Sequence, residues 1–201
     1  MGDGFFVVVA LGDSLTAGYR TLDPYAIDPR VPYPAQLEAL LRERLGGRAQ
    51  AFVVNAGVNG DSTDGMLWRF GQAVAPERPD VVVVWGGIND LGAARNPEAV
   101  MANLARLYAK CGEINAKPVV CTLTPTRRTS PNMRELNDLI RAHASEKGLA
   151  LTDLFPALAD SEGNLKTEYS DDGVHLSPAG YGRVAETVLK ALEPLIAEIE
   201  P

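Results

Sequence analysis

Residues that could carry out nucleophilic acyl transfer occur at two places far apart in the chain. The tripeptide Gly12-Asp13-Ser14 directly follows an apolar run, and Asp172 precedes His175 by three positions in a short loop. Acyl transfer needs a serine whose oxygen is exposed on a turn, a histidine that takes its proton and a carboxylate that fixes the histidine tautomer. The sequence therefore contains all three residue types, near opposite ends of the chain.

The tripeptide occurs a second time, as Gly60-Asp61-Ser62. A segment with weak helical character follows it, in which Gly65 and Gly71 lower the helix propensity. We expect Ser62 to cap this helix, because short polar side chains accept hydrogen bonds from the free N–H groups of a helix N-terminus. Ser14, which follows a strand-like run directly, is the preferred nucleophile.

Three other residues could in principle take the carboxylate or histidine role in acyl transfer. Asp171 is adjacent to Asp172 and is expected to be a solvated loop carboxylate. Asp13 is expected to shape its turn by hydrogen bonding rather than to react. His143 lies among charged residues in a helical segment, which is typical of a solvated surface histidine. The sequence thus favours His175 as the base, with Asp172 beside it.

Composition and charge exclude several classes of function. The net charge of -7 and the pI near 4.9 argue against a nucleic-acid partner or an anionic membrane surface. Stable membrane insertion is not expected, because no apolar run approaches the roughly 18 residues that a spanning helix needs. The N-terminus lacks a basic region and a cleavage site, which predicts a cytoplasmic protein, or a periplasmic or secreted one if a signal peptide has been removed. The oligomeric state is left open.

No pattern in the chain predicts a metal or a cofactor. Cys111 and Cys121 are too few for a disulfide framework and lack the spacing of metal ligands, so we expect two buried apolar thiols. The chain contains no phosphate-binding loop, no His-Glu-x-x-His helix and no Gly-x-Ser-x-Gly elbow.

Strand-like and helical segments alternate along the whole chain. The apolar runs are continuous, as expected for parallel strands that are covered on both faces, and they span 5–11, 51–56, 81–86, 118–123 and 149–154. Three helices are predicted to begin at a proline that follows a capping residue, at Asn96-Pro97, Ser130-Pro131 and Ser177-Pro178. This alternation predicts a three-layer α/β/α fold in a single domain over residues 1–201, with functional groups beyond the carboxyl ends of the strands.

At these strand ends the chain resembles the GDSL or SGNH hydrolases, a family named after residues in separate sequence blocks. The first block is Gly12-Asp13-Ser14-Leu15, the second offers Gly57, the third offers Asn89 and the last is Asp172 with His175. All four occur in order and at plausible intervals, from Leu11 to Tyr181.

The resemblance implies a flavodoxin-like five-stranded parallel sheet in the order 2-1-3-4-5 and hydrolysis of esters or thioesters without a metal or cofactor. Ser14 would be the nucleophile, His175 the base and Asp172 its carboxylate partner. The backbone N–H groups of Ser14 and Gly57 and the side-chain amide of Asn89 would form the oxyanion hole.

The substrate is less well defined than the reaction. The first block is similar to that of bacterial thioesterases, lysophospholipases and arylesterases, which favours esters or thioesters of short to medium acyl chains. A carbohydrate deacetylase is the alternative, although such relatives more often have threonine at the position of Leu15; a non-catalytic binding module is a further one. The proline-rich loop Arg20–Pro34 is expected to form part of the substrate pocket.

Overall fold

The computed structural model describes residues 4–24 and 28–197, which are built around one sheet. In chain order, strands β1 to β5 span Phe5–Gly12, Gln50–Gly57, Val81–Trp85, Lys117–Cys121 and Ala150–Thr152. The strands lie in the order β2-β1-β3-β4-β5, and all neighbouring pairs are parallel. The predicted parallel sheet and its strand order are confirmed.

Helices connect the strands, and several of them begin where the capping pattern predicts. Helices α1 to α8 span Ser14–Ala17, Tyr33–Leu45, Thr63–Ala73, Ile88–Gly92, Pro97–Glu113, Pro131–Lys147, Leu154–Leu158 and Pro178–Ala197. The side chains of Asn96, Ser130 and Ser177 each accept a hydrogen bond from the backbone N–H three residues later, at 2.8, 3.2 and 3.2 Å. The three predicted Ser/Asn-Pro helix starts are therefore confirmed.

The sheet is covered by helices on both faces. Helices α2 and α8 pack against each other in one layer, and α3, α5 and α6 pack in the other. Strand β3 is buried at all five of its residues, Val81–Trp85, which explains why its sequence is continuously apolar. The buried apolar side chains form one cluster, as in a three-layer α/β/α fold.

Strand register brings the ends of β1, β2 and β3 to the same edge of the sheet. Gly12, the last residue of β1, lies opposite Gly57 on one side and Trp85 on the other. The loops that follow these three strands must therefore begin side by side, although they lie far apart in the sequence.

Strand β4 ends at Cys121, two residues before the predicted end at Leu123. The side-chain amide of Asn137 on α6 accepts a hydrogen bond from the Leu123 N–H (2.7 Å) and donates one to the Leu123 carbonyl (3.1 Å). This amide takes the place of a neighbouring strand, so both backbone groups of Leu123 are paired although the chain has left the sheet.

Both cysteines are buried, as predicted. Burial raises the pKa of the Cys111 and Cys121 thiols to about 12, so that each is protonated at neutral pH and packs as an apolar side chain. Within the described ranges, no helix combines the length and apolar character that a membrane span requires.

Candidate active site

Ser14 lies on the turn between β1 and the short helix α1. The Asp13 carboxylate accepts a hydrogen bond from the Leu15 N–H at 2.9 Å and thereby caps α1. Because the aspartate provides the cap, the serine hydroxyl is available for another partner. Its Oγ lies 3.2 Å from Nε2 of His175, and Ser14 remains 9% exposed.

Asp172 and His175 lie in a tight turn just before α8. One oxygen of Asp172 accepts hydrogen bonds from the backbone N–H groups of Val174 (2.8 Å) and His175 (2.7 Å), and the other lies 2.7 Å from His175 Nδ1. Ser170 closes the turn, since its hydroxyl accepts from the Gly173 N–H and donates to the His175 carbonyl, both at 2.7 Å. The carboxylate is thus held in a defined orientation against the imidazole.

The electrostatics of Asp172 favour the tautomer that a base requires. Burial raises the pKa of this carboxyl, but hydrogen bonds from His175, Thr21 and two backbone N–H groups outweigh burial and lower the pKa well below its usual range. An ionised Asp172 accepts a hydrogen bond from the Nδ1–H group of a neutral imidazole. The other nitrogen, Nε2, is then an acceptor directed at the Ser14 hydroxyl.

Asp171 has a different partner from Asp172. Its Oδ2 accepts hydrogen bonds from Nε and Nη2 of Arg20 at 3.1 and 3.0 Å, and its side chain is only 10% exposed. The expectation of a solvated loop carboxylate is therefore wrong for Asp171. Of the two adjacent aspartates, Asp172 is the one bonded to the imidazole of His175.

Gly57 does not offer the N–H group that was expected of it. This N–H donates to Oδ1 of Asn55 at 3.0 Å, within the end of β2. A Cβ atom on Gly57 would lie 2.2 Å from the backbone nitrogen of Ala17, so glycine is required because β2 packs directly against α1. The N–H that was expected in the oxyanion hole is therefore bonded within its own strand, and the close approach of α1 accounts for the glycine at this position.

Gly60 and Asn89 line a common cleft of about 380 Å³. Nδ2 of Asn89, at the start of α4, donates to the carbonyl oxygen of Asp61 at 2.8 Å, which leaves its second N–H available. Gly60 has a φ of +74° and its N–H bonds to no other described residue. Sequence reasoning missed Gly60, because the end of β2 and the loop that follows it each hold a glycine and residue type does not separate them.

Ser62 and His143 make no contact with the Ser14, His175 and Asp172 side chains among the described hydrogen bonds. The Ser62 hydroxyl accepts a hydrogen bond from the Gly65 N–H at 3.2 Å and caps α3, as predicted. His143 on α6 is half-buried, with its ring centroid 5.8 Å from that of Tyr108. The expected surface histidine is therefore only partly exposed to solvent, because α5 packs against α6 at this point.

Asp13 directly precedes Ser14 in the chain and is almost completely buried. Burial raises the pKa of Asp13 to about 7; the Leu15 N–H opposes this rise, and the negative charges of Asp61 and Asp90 add to it. Backbone hydrogen bonds from Leu15 and from Asp13 itself are therefore too little to offset the loss of water around the carboxyl group.

A second cleft, of about 360 Å³, lies on the side of the imidazole. The Tyr19 ring meets the His175 ring edge-on, with centroids 4.7 Å apart. Much of the lining comes from the proline-rich loop that was expected to form a pocket, although residues 25–27 lie outside the described residues. The lining residues are Ala17, Gly18, Tyr19, Arg20, Asp23, Pro24, Asp28, Val31 and Asn59.

Comparison with known proteins agrees with the blocks recognised in the sequence. The GDSL-like lipase/acylhydrolase family matches residues 10–183. Esterase TesA of Pseudomonas aeruginosa is 29% identical over 79% of this chain and 78% of its own length. Thioesterase 1/protease 1/lysophospholipase L1 of Escherichia coli is 27% identical over 94% and 84%.

Solved structures share the fold. A lipolytic protein of the G-D-S-L family from Desulfitobacterium hafniense has a TM-score of 0.79 at 22% identity, over 92% of this chain and 99% of that one. Sequence blocks, strand order and family match agree over most of the chain. The protein described here belongs to the GDSL-like lipase/acylhydrolase family.

Proposed function

We propose that this protein hydrolyses carboxylic esters or thioesters through an acyl-enzyme intermediate on Ser14. The observation that carries the proposal is the chain of contacts from Ser14 Oγ through His175 to Asp172, at 3.2 and 2.7 Å. Esterase and thioesterase relatives support the reaction class.

In the proposed reaction, Ser14 Oγ attacks the acyl carbonyl carbon while Nε2 of His175 removes the hydroxyl proton. The tetrahedral intermediate then collapses, the bond to the leaving group breaks, and His175 returns the proton to the departing atom. Water repeats the sequence on the acyl-serine, which releases the carboxylic acid and restores the serine. Asp172 stays ionised throughout and stabilises the imidazolium that forms in each half-reaction.

The oxyanion is proposed to bind three N–H donors on the opposite side of the serine. These are the backbone N–H groups of Ser14 and Gly60 and the second N–H of the Asn89 amide. The backbone N–H groups of Ser14 and Gly60 donate to no other group in the part of the chain that the structure describes. Gly57 is replaced in this set, since its N–H is bonded to Asn55. Donors of this kind act on the charge that develops in the transition state.

The two clefts suggest how the substrate lies across the serine. A general acid must reach the leaving atom, so the cleft beside Tyr19 and His175 is assigned to the leaving group. The cleft beside Gly60 and Asn89 is assigned to the acyl part. We propose an acyl part of short to medium length, as the first sequence block favours.

Covalent labelling tests the nucleophile. A fluorophosphonate probe should modify the protein at Ser14, with the modified peptide identified by mass spectrometry, and Ser14→Ala should abolish the label. Ser62→Ala is the matched control and should be labelled like the wild type. If neither labelling nor ester hydrolysis is detected, a non-catalytic binding role replaces this proposal.

A substrate series tests the acyl group and the leaving group separately. We expect hydrolysis of p-nitrophenyl acetate, butyrate and octanoate and of the matching acyl-CoA thioesters, with kcat/KM falling for chains longer than octanoyl. Higher kcat/KM on acetylated xylo-oligomers than on every ester and thioester would instead support the carbohydrate deacetylase. Added chelator should leave the rates unchanged.

A further inference from the structure

The segment that follows α1 touches the turn that carries Asp172 and His175, although about 150 residues separate them in the sequence. Tyr19 packs its ring against His175, and its carbonyl oxygen accepts a hydrogen bond from the Tyr181 hydroxyl at 2.8 Å. The start of the segment is therefore fixed to α8, the helix that follows the same turn.

Thr21 provides the contact nearest to the chemistry. Its hydroxyl donates a hydrogen bond to Oδ2 of Asp172, the oxygen that also faces His175 Nδ1. The Thr21 oxygen lies 3.4 Å from Nδ1 itself. The other Asp172 oxygen is held by two backbone N–H groups, so Thr21 is the second donor that fixes the oxygen paired with the imidazole.

Arg20 provides a second contact, one residue earlier. Two of its N–H groups bind the same oxygen of Asp171, and the pair is largely removed from solvent, with side chains 23% and 10% exposed. Two consecutive residues of one segment thus bind two consecutive residues of the other. Two such contacts restrict both the position and the rotation of the Asp172 turn.

We propose that Thr21 is a positioning residue for the Asp172–His175 pair and that Arg20 anchors the same turn through Asp171. This inference rests on the proposed function of Ser14, His175 and Asp172. Without the Thr21 hydroxyl, Oδ2 keeps one donor, and the carboxylate can rotate about its side-chain bonds. The imidazole then spends less time in the orientation that takes the Ser14 proton, which lowers kcat rather than substrate binding.

Thr21→Val removes the hydroxyl while keeping the shape, and Thr21→Ser keeps the hydroxyl. We expect kcat on p-nitrophenyl butyrate to fall about 10-fold in Thr21→Val, with KM within about twofold of wild type. Thr21→Ser should retain at least about half of kcat. Thr187→Val is the control, because the Thr187 hydroxyl donates to the Arg183 carbonyl within α8, away from the turn. This variant should match the wild type.

A spectroscopic readout separates this inference from the proposed function. The Nδ1 proton of His175 should give a low-field ¹H NMR resonance in wild type and Thr21→Ser that shifts upfield or broadens in Thr21→Val. An unchanged kcat and an unchanged resonance in Thr21→Val would overturn the inference while leaving Ser14 as the nucleophile. An inactive wild type that still shows the Thr21-dependent resonance would overturn the proposed function and keep the positioning role. Thr21 is exposed, so Thr21→Val is expected to fold.

Discussion

The two Gly-Asp-Ser tripeptides have the same residues and both follow a strand at the same edge of the sheet, yet their serines differ. In the first, Asp13 is the N-cap and α1 begins at Ser14, whose hydroxyl faces His175. In the second, Ser62 is itself the N-cap and α3 begins one residue later, at Thr63. A shift of one residue in the helix start therefore decides which serine hydroxyl is used up in capping.

The turn that holds the second tripeptide is connected to the turn that holds the first by the side chain of Arg69. Arg69 donates from Nε to Asp61 at 2.7 Å and from Nη2 to the Gly12 carbonyl at 2.9 Å, so one side chain joins the two turns. The Asp61 carbonyl also accepts the Asn89 amide. One copy of the motif holds the proposed nucleophile, and the other fixes the loop that holds the proposed oxyanion donors.

The largest expected difference between the two copies is catalytic. Ser14→Ala should lower kcat on p-nitrophenyl butyrate by about 10⁵–10⁶, because it removes the proposed nucleophile. Ser62→Ala should stay within about twofold of wild type. Initial rates at saturating substrate measure both variants. Equal losses in the two would contradict the division of roles.

The next largest expected change in kcat concerns the proposed oxyanion donors, which the Gly60-Asp61-Ser62 loop holds in place. Asn89→Ala should lower kcat by about 10²–10³ with little change in KM, since its amide acts on the transition state. Asn55→Ala is the matched control, because it removes the partner of the Gly57 N–H. It should leave kcat within about threefold. A higher kcat in Asn55→Ala, which frees the Gly57 N–H, together with an unchanged kcat in Asn89→Ala would return the oxyanion hole to the side of Gly57.

A smaller effect follows from the buried aspartate of the first copy. Burial raises the folded-state pKa of Asp13 to about 7, so the folded protein binds a proton that the unfolded chain has lost above about pH 4. The stability contributed by the protonated carboxyl is present below pH 4 and is lost as the pH rises to about 7.

Asp13→Asn keeps an acceptor for the Leu15 N–H and carries no titrating group. The free energy of unfolding of wild type relative to Asp13→Asn should therefore fall by roughly 2–4 kcal/mol from pH 4 to pH 7 and level off above pH 8. Urea unfolding at a series of pH values measures this difference. Ser62→Ala, which keeps every titrating group, should run parallel to wild type, and a parallel Asp13→Asn curve would contradict the buried-carboxyl argument.

The smallest effect is structural and belongs to the second copy. Ser62→Ala should lower the free energy of unfolding by about 1 kcal/mol, because the Gly65 N–H loses its cap acceptor. Ser62→Asp should restore most of the loss, since aspartate caps equally well. Thermal or urea unfolding distinguishes the two, and equal stability of Ser62→Ala and wild type would show that the cap contributes nothing.

Much of the fold follows from local patterns. Continuous apolar runs mark strands buried on both faces, and the Asn96, Ser130 and Ser177 caps begin their helices at the predicted residues. These features depend on residues only a few positions apart. The end of β4 was not predictable in the same way, because Asn137 satisfies the backbone of Leu123 from another helix.

The candidate site divides in the same manner. The spacing of Asp172 and His175 within one turn was sufficient to predict their contact. The apolar strand before Ser14 was sufficient to predict that this serine lies on the turn after the strand. The choice of oxyanion donor between Gly57 and Gly60 was not predictable from residue type. The Gly57 N–H bonds to Asn55, whereas Gly60 lines the cleft. Thr21 and Arg20 carried no signal at all, since their partners lie about 150 residues away.

The sequence by itself determined the strand-helix alternation, the helix caps and the types of residue available for acyl transfer, because these depend on short-range hydrogen bonding and on which faces must be buried. Only the tertiary structure decided that Asp171 pairs with Arg20 and that Thr21 binds Asp172. It also decided which of two glycine N–H groups, that of Gly57 or that of Gly60, bonds to another described residue. These outcomes depend on the register of neighbouring strands, where Gly12 lies opposite Gly57 and Trp85, and on contacts between segments that only folding brings together.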